Sequence, residues 1–200
     1  MFYYITGRER LSGSLLLEAV RFAVRWGVDF VQIREKDLND RELFCLARSA
    51  VALARNAGCR VLINSRADIA LAVGAAGVHL PSHGLGADIV RRWLPPGFIV
   101  GVSTHSLADI HRAAACGADY VLLGPVFETE SKKGMGRPLG LAKLRCACSA
   151  ARIPVLALGG IHPEAVAGVL EAGAAGVAGI GMFQQDIPES GLTRRQLLRK

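Results

Sequence analysis

Short apolar runs recur along the chain, and each is followed by a segment in which apolar residues return every three or four positions. The short runs predict strands at residues 2–6, 29–34, 60–64, 77–80, 98–103, 119–124, 154–159 and 176–181. The intervening segments predict helices at 14–26, 40–57, 66–73, 87–93, 106–116, 140–151 and 163–171, with a last one at 192–198. Strands that alternate with helices are typical of a parallel sheet covered by helices.

A short pattern repeats where the predicted helices pass into strands. It reads Gly-Val-Asp-Phe-Val at 27–31 and recurs with substitutions at 74–78, 117–121 and 173–177. We interpret each copy as a glycine that ends a helix in the left-handed conformation, followed by a tight turn and a parallel strand. Such repeated units predict a single α/β domain over residues 1–200, a (β/α)8 TIM barrel. An open doubly wound sheet is the alternative, although no Gly-x-Gly-x-x-Gly follows the first strand.

Composition narrows the class of partner. Hydrophobic residues make up 51% of the 200 residues but aromatic residues only 6%, so we expect an aliphatic core. The net charge of +7 is compatible with nucleic acid, but the basic residues are scattered and no aromatic residues interleave with them. Small anionic substrates explain the excess of positive charge as well, so we expect phosphorylated small molecules as partners and no nucleic acid. The sequence leaves open whether the chain forms a homo-oligomer.

The number and spacing of the cysteines indicate the cellular compartment of the protein. Their number is five, which is odd, and their spacing is not that of a disulfide framework. Cys146 and Cys148 lack a second Cys/His pair nearby, so no zinc site is expected. Residues 1–6 do not form a signal peptide, and no apolar run reaches membrane-spanning length. Together these features predict reduced thiols in a cytoplasmic protein that does not enter a membrane.

The segment 124–134 follows the sixth predicted strand and opens a loop of roughly 15 residues, which is long for a compact α/β domain. It carries the hydroxyls of Thr129 and Ser131 and the ammonium groups of Lys132 and Lys133. Hydroxyls, lysines and the backbone N–H groups of a glycine-containing loop together suit a phosphate or pyrophosphate. The alternative is a solvated loop whose lysines only aid solubility.

Other polar groups also stand at the ends of predicted strands, where a barrel places its chemistry. Gly159-Gly160 and the glycines at 179–181 end the last two strands and suit a phosphate, or else form plain tight turns. Arg34 and Lys36 follow the second strand and could neutralise phosphate oxygens, while Glu35 could pair with either of them in a surface ion-pair network. His79 is as consistent with a satisfied core histidine as with a ligand contact.

Six motifs occur in an order that resembles one family. They are Gln-Ile-Arg-Glu-Lys at 32–36, Ile-Asn-Ser-Arg-Ala-Asp at 63–68, Gly-Val-His-Leu at 77–80, Gly-Val-Ser at 101–103, Gly-Pro-Val-Phe-Glu-Thr-Glu-Ser-Lys-Lys at 124–133 and Gly-Gly-Ile at 159–161. The chain resembles thiamine phosphate synthase and its relative, the thiazole tautomerase, along nearly all of the predicted barrel.

The resemblance implies a transferase that joins a pyrimidine methyl pyrophosphate to a thiazole phosphate and releases pyrophosphate. It implies catalytic roles for Lys132, Arg34 and Ser103. The residues implied to bind the pyrimidine pyrophosphate are Gln32, Arg34, Glu35, Lys36, Asn64, Ser103 and Lys132. The residues implied to bind the thiazole phosphate are Thr129, Glu130, Ser131, Gly159, Gly160, Ile180 and Gly181.

The chain departs from the family pattern at the metal positions. The synthases carry aspartates that bind Mg²⁺ where this chain has Ser65 and, in our alignment, Gly84. Because Mg²⁺ prefers carboxylate and substrate oxygens, we expect no metal ligands from the protein, and Mg²⁺ stays a possible cofactor that the substrate pyrophosphate and water would mainly hold, with weak affinity. The metal-independent tautomerase carries a catalytic histidine where this chain has Pro125. A synthase, a tautomerase and a binder of thiazole or thiamine phosphate without turnover all remain open at this point.

Overall fold

The eight strands predicted from the sequence form a closed parallel barrel in a computed structural model, which describes residues 1–11, 16–129 and 137–198. Each strand pairs with its sequence neighbours, and β1 closes the barrel on β8 through pairs such as Phe2 with Val177. The strands are β1 Phe2–Ile5, β2 Phe30–Ile33, β3 Arg60–Asn64, β4 Gly77–Leu80, β5 Ile99–Thr104, β6 Tyr120–Leu123, β7 Val155–Leu158 and β8 Gly176–Gly179. The predicted TIM barrel is therefore confirmed.

Seven helices lie between the strands in the described part of the chain and cover the outside of the barrel, and two more follow the last strand. They are α1 Leu16–Trp26, α2 Asp40–Ala54, α3 Ala67–Ala72, α4 Ala87–Arg91, α5 Leu107–Ala115, α6 Gly140–Ala150, α7 Val166–Glu171, α8 Ile187–Ser190 and α9 Arg194–Leu197. Short 3₁₀ turns occur at Arg8–Arg10 and Pro163–Ala165, and a π-helical turn at Met182–Asp186 leads into α8. The sequence did not predict this turn or α8, and the last predicted helix is shorter than expected. No helix in the described part of the chain is both long and apolar enough to cross a bilayer.

The repeated joints have the predicted conformation. Their glycines, together with Gly58 in a looser copy, have φ values between 67° and 95°. Where the joint carries an aspartate, its carboxylate accepts an N–H from the strand before it: Asp29 from Phe2 at 2.7 Å and Asp119 from Val100 at 2.7 Å. The repeat thus ties each of these two joints to the amino end of a neighbouring strand.

The core has two layers because side chains alternate along each strand. A small cluster fills the barrel interior and includes Tyr3, Phe30, Leu62, Tyr120 and Leu156. A larger aliphatic cluster lies between the strands and the helices. The interior is therefore more aromatic than the composition suggested, since three of its members carry rings.

Candidate functional site

The described residues that end or follow the predicted strands lie at one mouth of the barrel. All strands are parallel, so their carboxyl ends face the same side. Gln32 lies near the end of β2, Asn64 ends β3 and Ser103 lies near the end of β5. Gly159 and Gly160 follow β7 directly, and Ile180 and Gly181 follow β8. The fold thus gathers on one face residues that are far apart in the sequence.

Two of the residues implied to bind the pyrimidine pyrophosphate are joined directly. Gln32 is buried, with 1% of its surface exposed, and its Nε2 donates to Asn64 Oδ1 at 2.9 Å. The Nδ2 of Asn64 donates in turn to Ser65 Oγ at 2.9 Å. The two carboxamides are therefore fixed in orientation before any ligand arrives.

A line of hydrogen bonds connects Gln32 with Ser103 through the barrel interior. The Tyr3 hydroxyl donates to Gln32 Oε1 at 3.0 Å and lies 2.9 Å from the Tyr120 hydroxyl. The Tyr120 hydroxyl lies 3.1 Å from Nδ1 of His79, whose Nε2 lies 2.8 Å from Ser103 Oγ. His79 is therefore a core histidine satisfied on both ring nitrogens, and its partner Ser103 stands at the mouth.

Sequence analysis did not single out Tyr3 or Tyr120. The signal available was their scarcity, since the chain has 3 tyrosines, together with the glycine at 101. Gly101 pairs with Tyr120 across β5 and β6, and a Cβ added at Gly101 would stand 2.0 Å from Tyr120 Cζ. The glycine leaves room for the tyrosine ring, which is why the ring can cross the interior to reach His79 and Tyr3.

Burial keeps this line of groups uncharged. Burial lowers the pKa of His79 to about 3, and the positive charge of Arg34 contributes in the same direction. Burial likewise raises the pKa of both Tyr3 and Tyr120 above the ordinary tyrosine value. His79 is thus a neutral imidazole at physiological pH.

The segment after β2 is anchored on its neighbours. The backbone N–H of Arg34 donates to Thr6 Oγ1 at 2.9 Å, and the backbone N–H of Arg8 donates to Glu35 Oε2 at 3.0 Å. Glu35 is buried, with 7% of its surface exposed, and its other carboxylate oxygen has no hydrogen-bond partner among the residues that the structure describes. Within the described residues Glu35 forms no ion pair with Arg34 or Lys36. The alternative interpretation, in which these three residues form a surface ion-pair network, is therefore wrong for the described structure.

The loops after β6 and β7 lie against each other. The Phe127 N–H donates to Gly159 O at 3.0 Å, and the Val126 N–H donates to Leu158 O at 2.9 Å. Gly159 and Gly160 both have positive φ, at 97° and 64°. The Gly160 N–H donates to no acceptor among the described residues. This N–H is available to a ligand next to the base of the loop that carries Thr129.

The predicted site also includes residues of the loop after β6. Glu130, Ser131, Lys132 and Lys133 lie outside the described residues. Thr129 is the last described residue of that loop and is half-buried. The residues brought together at the mouth are therefore Gln32, Asn64 and Ser103 on one side, with Thr129, Gly159 and Gly160 near the seventh strand.

The residues at the expected metal positions do not form a Mg²⁺ site. Ser65 is exposed and its hydroxyl accepts from Asn64, while Gly84 offers no side chain. The carboxylates of Asp40 and Asp68 both pair with Arg66. The residues that the structure describes contain no group of three or more His, Cys, Asp or Glu that could hold a metal. The donor set present does not fit a protein-held Mg²⁺.

Comparisons with known proteins agree on one family. The thiamine monophosphate synthase profile matches residues 2–183. A Geobacter sulfurreducens protein, provisionally named thiamine-phosphate synthase, is 45% identical over 92% of this chain and 86% of its own length. The thiamine-phosphate synthase of Moorella thermoacetica is 42% identical over 88% of this chain and 84% of its own.

A solved structure extends the agreement to three dimensions. Thiamine phosphate pyrophosphorylase from Pyrococcus furiosus matches with a TM-score of 0.84 and 32% identity, covering 99% of this chain and 93% of that one. The family profile, the relatives and this solved structure each match nearly the whole length of the chain. The chain therefore belongs to the thiamine monophosphate synthase family.

Proposed function

We propose that this protein is a thiamine-phosphate synthase. It joins a pyrimidine methyl pyrophosphate to a thiazole phosphate and releases pyrophosphate. The C–O bond to pyrophosphate breaks and the leaving group takes the electron pair. The thiazole nitrogen then supplies its lone pair to the cationic pyrimidine carbon, which forms the new C–N bond.

One observation carries the proposal. Arg34 and Lys36 follow β2 at the mouth, and neither pairs with a carboxylate within the described residues. The neighbouring Gln32 and Asn64 are already bonded to each other. Cations without a protein counterion suit the negative charge that develops on a departing pyrophosphate. We assign that stabilising role to Arg34, Lys36 and Lys132.

The thiazole phosphate belongs, in this proposal, to the turns after β7 and β8. The Gly160 N–H without an acceptor among the described residues supports this assignment, because backbone N–H groups are ready anion ligands. Thr129, Glu130 and Ser131 would complete the subsite from the neighbouring loop, with Gly159, Ile180 and Gly181. The names of the relatives do not favour the tautomerase, and Pro125 occupies its histidine position.

The proposal also covers the compartment and the metal. We propose a cytoplasmic protein that takes small phosphorylated substrates and no nucleic acid, in keeping with five unpaired cysteines and scattered basic residues. Magnesium is proposed to have low affinity for the protein itself, because the expected carboxylates are replaced by Ser65 and Gly84.

The test is a reaction of the purified protein with both substrates, in which pyrophosphate and thiamine phosphate are measured together. We expect the two products in equal amounts. Arg34→Ala should lower kcat/KM by about 10²- to 10³-fold, because it removes charge from the leaving-group site. Arg92→Ala removes an exposed cation from the end of α4 and serves as the control. A wild type that forms neither product would refute the proposal.

A further inference from the structure

Six polar side chains form one continuous hydrogen-bonded chain across the barrel interior. Each comes from a different strand, and every contact lies between 2.8 and 3.1 Å. In order, the members are Ser103, His79, Tyr120, Tyr3, Gln32 and Asn64. Ser103 and Asn64, the two ends of this series of hydrogen bonds, both lie at the mouth. The series therefore links two parts of the proposed pyrimidine subsite.

The donor and the acceptor of each hydrogen bond in this series can be assigned, because each hydroxyl has only one hydrogen to donate. The Gln32 carboxamide donates to Asn64 through Nε2, so its Oε1 faces Tyr3 and the Tyr3 hydroxyl must donate. The single hydrogen of Tyr3 is then used, and the contact with Tyr120 must be donated by Tyr120. The hydrogen of Tyr120 is now used as well. The contact between Tyr120 and His79 is therefore donated by Nδ1–H of the imidazole.

The last step concerns Ser103. His79 is 1% exposed and neutral, so only one of its nitrogens carries a hydrogen. That hydrogen is on Nδ1, which leaves a lone pair on Nε2. The 2.8 Å contact with Ser103 is consequently donated by the serine. The only hydroxyl hydrogen of Ser103 points into the barrel, and the oxygen can present only lone pairs to the mouth.

We propose that His79, Tyr120 and Tyr3 are positioning residues that make Ser103 a hydrogen-bond acceptor and nothing else. The substrate group that meets Ser103 must then bring a hydrogen, which points to an amino group on the pyrimidine ring. A phosphate oxygen there would place lone pair against lone pair. The inference rests on the proposed function, which it refines by assigning Ser103 to the heterocycle and not to the pyrophosphate.

The first test measures the imidazole itself and needs no turnover. Nitrogen-15 NMR of labelled protein at neutral pH should show His79 with a protonated Nδ1 and an unprotonated Nε2. The His79→Gln variant identifies the His79 signals by their loss. In Tyr120→Phe the acceptor for Nδ1–H is gone, so the ring should shift towards the Nε2–H form. A wild type with a hydrogen on Nε2 would overturn the proposal.

The second test compares two pyrimidine pyrophosphates, one with an exocyclic amino group and one with methoxy in its place. Wild type should prefer the amino compound by about 10- to 100-fold in kcat/KM, because the methoxy oxygen leaves Ser103 without a donor. Ser103→Ala should reduce the preference to about threefold or less. Inhibition by inorganic pyrophosphate should stay within about twofold of wild type in Ser103→Ala.

A double mutant separates positioning from a purely structural role. If Tyr120 acts through Ser103, then Tyr120→Phe combined with Ser103→Ala should lose no more activity on the amino compound than Ser103→Ala alone. Ser103→Thr keeps a hydroxyl and should retain the preference. Additive losses, or an unchanged preference in Ser103→Ala, would contradict the inference. A wild type inactive on the amino compound would instead refute the proposed function, and the NMR result would still decide the direction of the chain.

Discussion

A methyl group placed on Gly160 would stand 2.2 Å from the carbonyl oxygen of Glu128. The turn after β7 therefore lies directly against the backbone of the loop after β6. Gly160 also has a φ of 64°, a conformation that few other residues adopt readily. The close approach explains why the paired glycines stand at this strand end.

Gly160→Ala should separate the two loops and weaken the proposed phosphate site. We expect the KM for the thiazole phosphate to rise by about tenfold or more, because the Gly160 N–H would move away from its present position. The matched control is Gly74→Ala, since Gly74 has a φ of 67° and nothing within 4 Å of an added Cβ.

The control should lose only about 1 kcal/mol of stability from backbone strain and should keep its activity. Steady-state kinetics and urea denaturation of both variants provide the measurements. Equal loss of activity in the two alanine variants would mean that strain, and not the contact with Glu128, is responsible.

Much of the fold could be predicted because its signals are local. The helix-to-strand joints each contain a glycine at the position that needs positive φ, and short apolar runs mark the strands. The π-helical turn Met182–Asp186 and α8 could not be predicted, because they depend on contacts made far along the chain. Phe183, for example, is fully buried against Tyr4 and Trp26.

The site was predictable in part for the same reason. Gln32, Asn64 and Ser103 carry polar groups at strand ends, which a barrel topology alone brings to one mouth. Tyr3 and Tyr120 sit inside strands, where an aromatic residue is equally typical of plain core packing. Only the three-dimensional arrangement shows that their hydroxyls meet between His79 and Gln32.

The C-terminal segment should contribute to stability without affecting activity. Arg194 donates to both carboxylate oxygens of Asp29 at 3.0 Å and lies over the Phe2 ring at 5.3 Å. Asp29 also accepts from the Phe2 N–H at the amino end of β1, opposite the mouth. Both charged groups are about one third exposed, so solvent screens part of the attraction.

Arg194→Ala should therefore lower the free energy of unfolding by about 1–2 kcal/mol, through loss of the two charge-assisted bonds. Arg195→Ala, at the next position of α9, is the control and should change little. Urea denaturation measures both, and kcat/KM should be unaltered in each. A large fall in kcat/KM for Arg194→Ala would show that this end of the barrel communicates with the mouth.

His79 should make stability fall in acid. Its pKa is about 3 in the folded protein, against 6.5 for an unperturbed histidine, so between these values the unfolded chain binds a proton that the folded chain does not. Above pH 6.5 His79 is neutral in both states and does not change the free energy of unfolding with pH. Below pH 6.5 it lowers the free energy of unfolding by up to about 1.4 kcal/mol for each pH unit.

The measurement is the unfolding free energy of wild type and His79→Gln between pH 7 and pH 4. Glutamine does not titrate, and other groups cancel in the difference between the two proteins. The wild type should lose more stability than the variant across this range, and Arg34, the charged neighbour that lowers the histidine pKa, is present in both. Parallel curves would mean that His79 binds its proton equally well in both states.

The magnesium requirement should respond to restored carboxylates. Ser65 has a φ of 63°, a conformation that aspartate tolerates better than most residues, so Ser65→Asp should fit the backbone. A Cβ at Gly84 would stand 3.0 Å from Pro81 Cγ, which is tight, and Gly84→Ala is the control for that contact.

The wild type should need a high Mg²⁺ concentration, with the ion held mainly by substrate oxygens and water. Ser65→Asp with Gly84→Asp should lower the half-saturating Mg²⁺ by about tenfold, and either single aspartate by less, because ligand charge sets affinity. Thiamine phosphate formation across a Mg²⁺ titration measures this. A wild type that saturates at micromolar Mg²⁺ would show that other groups supply the ligands.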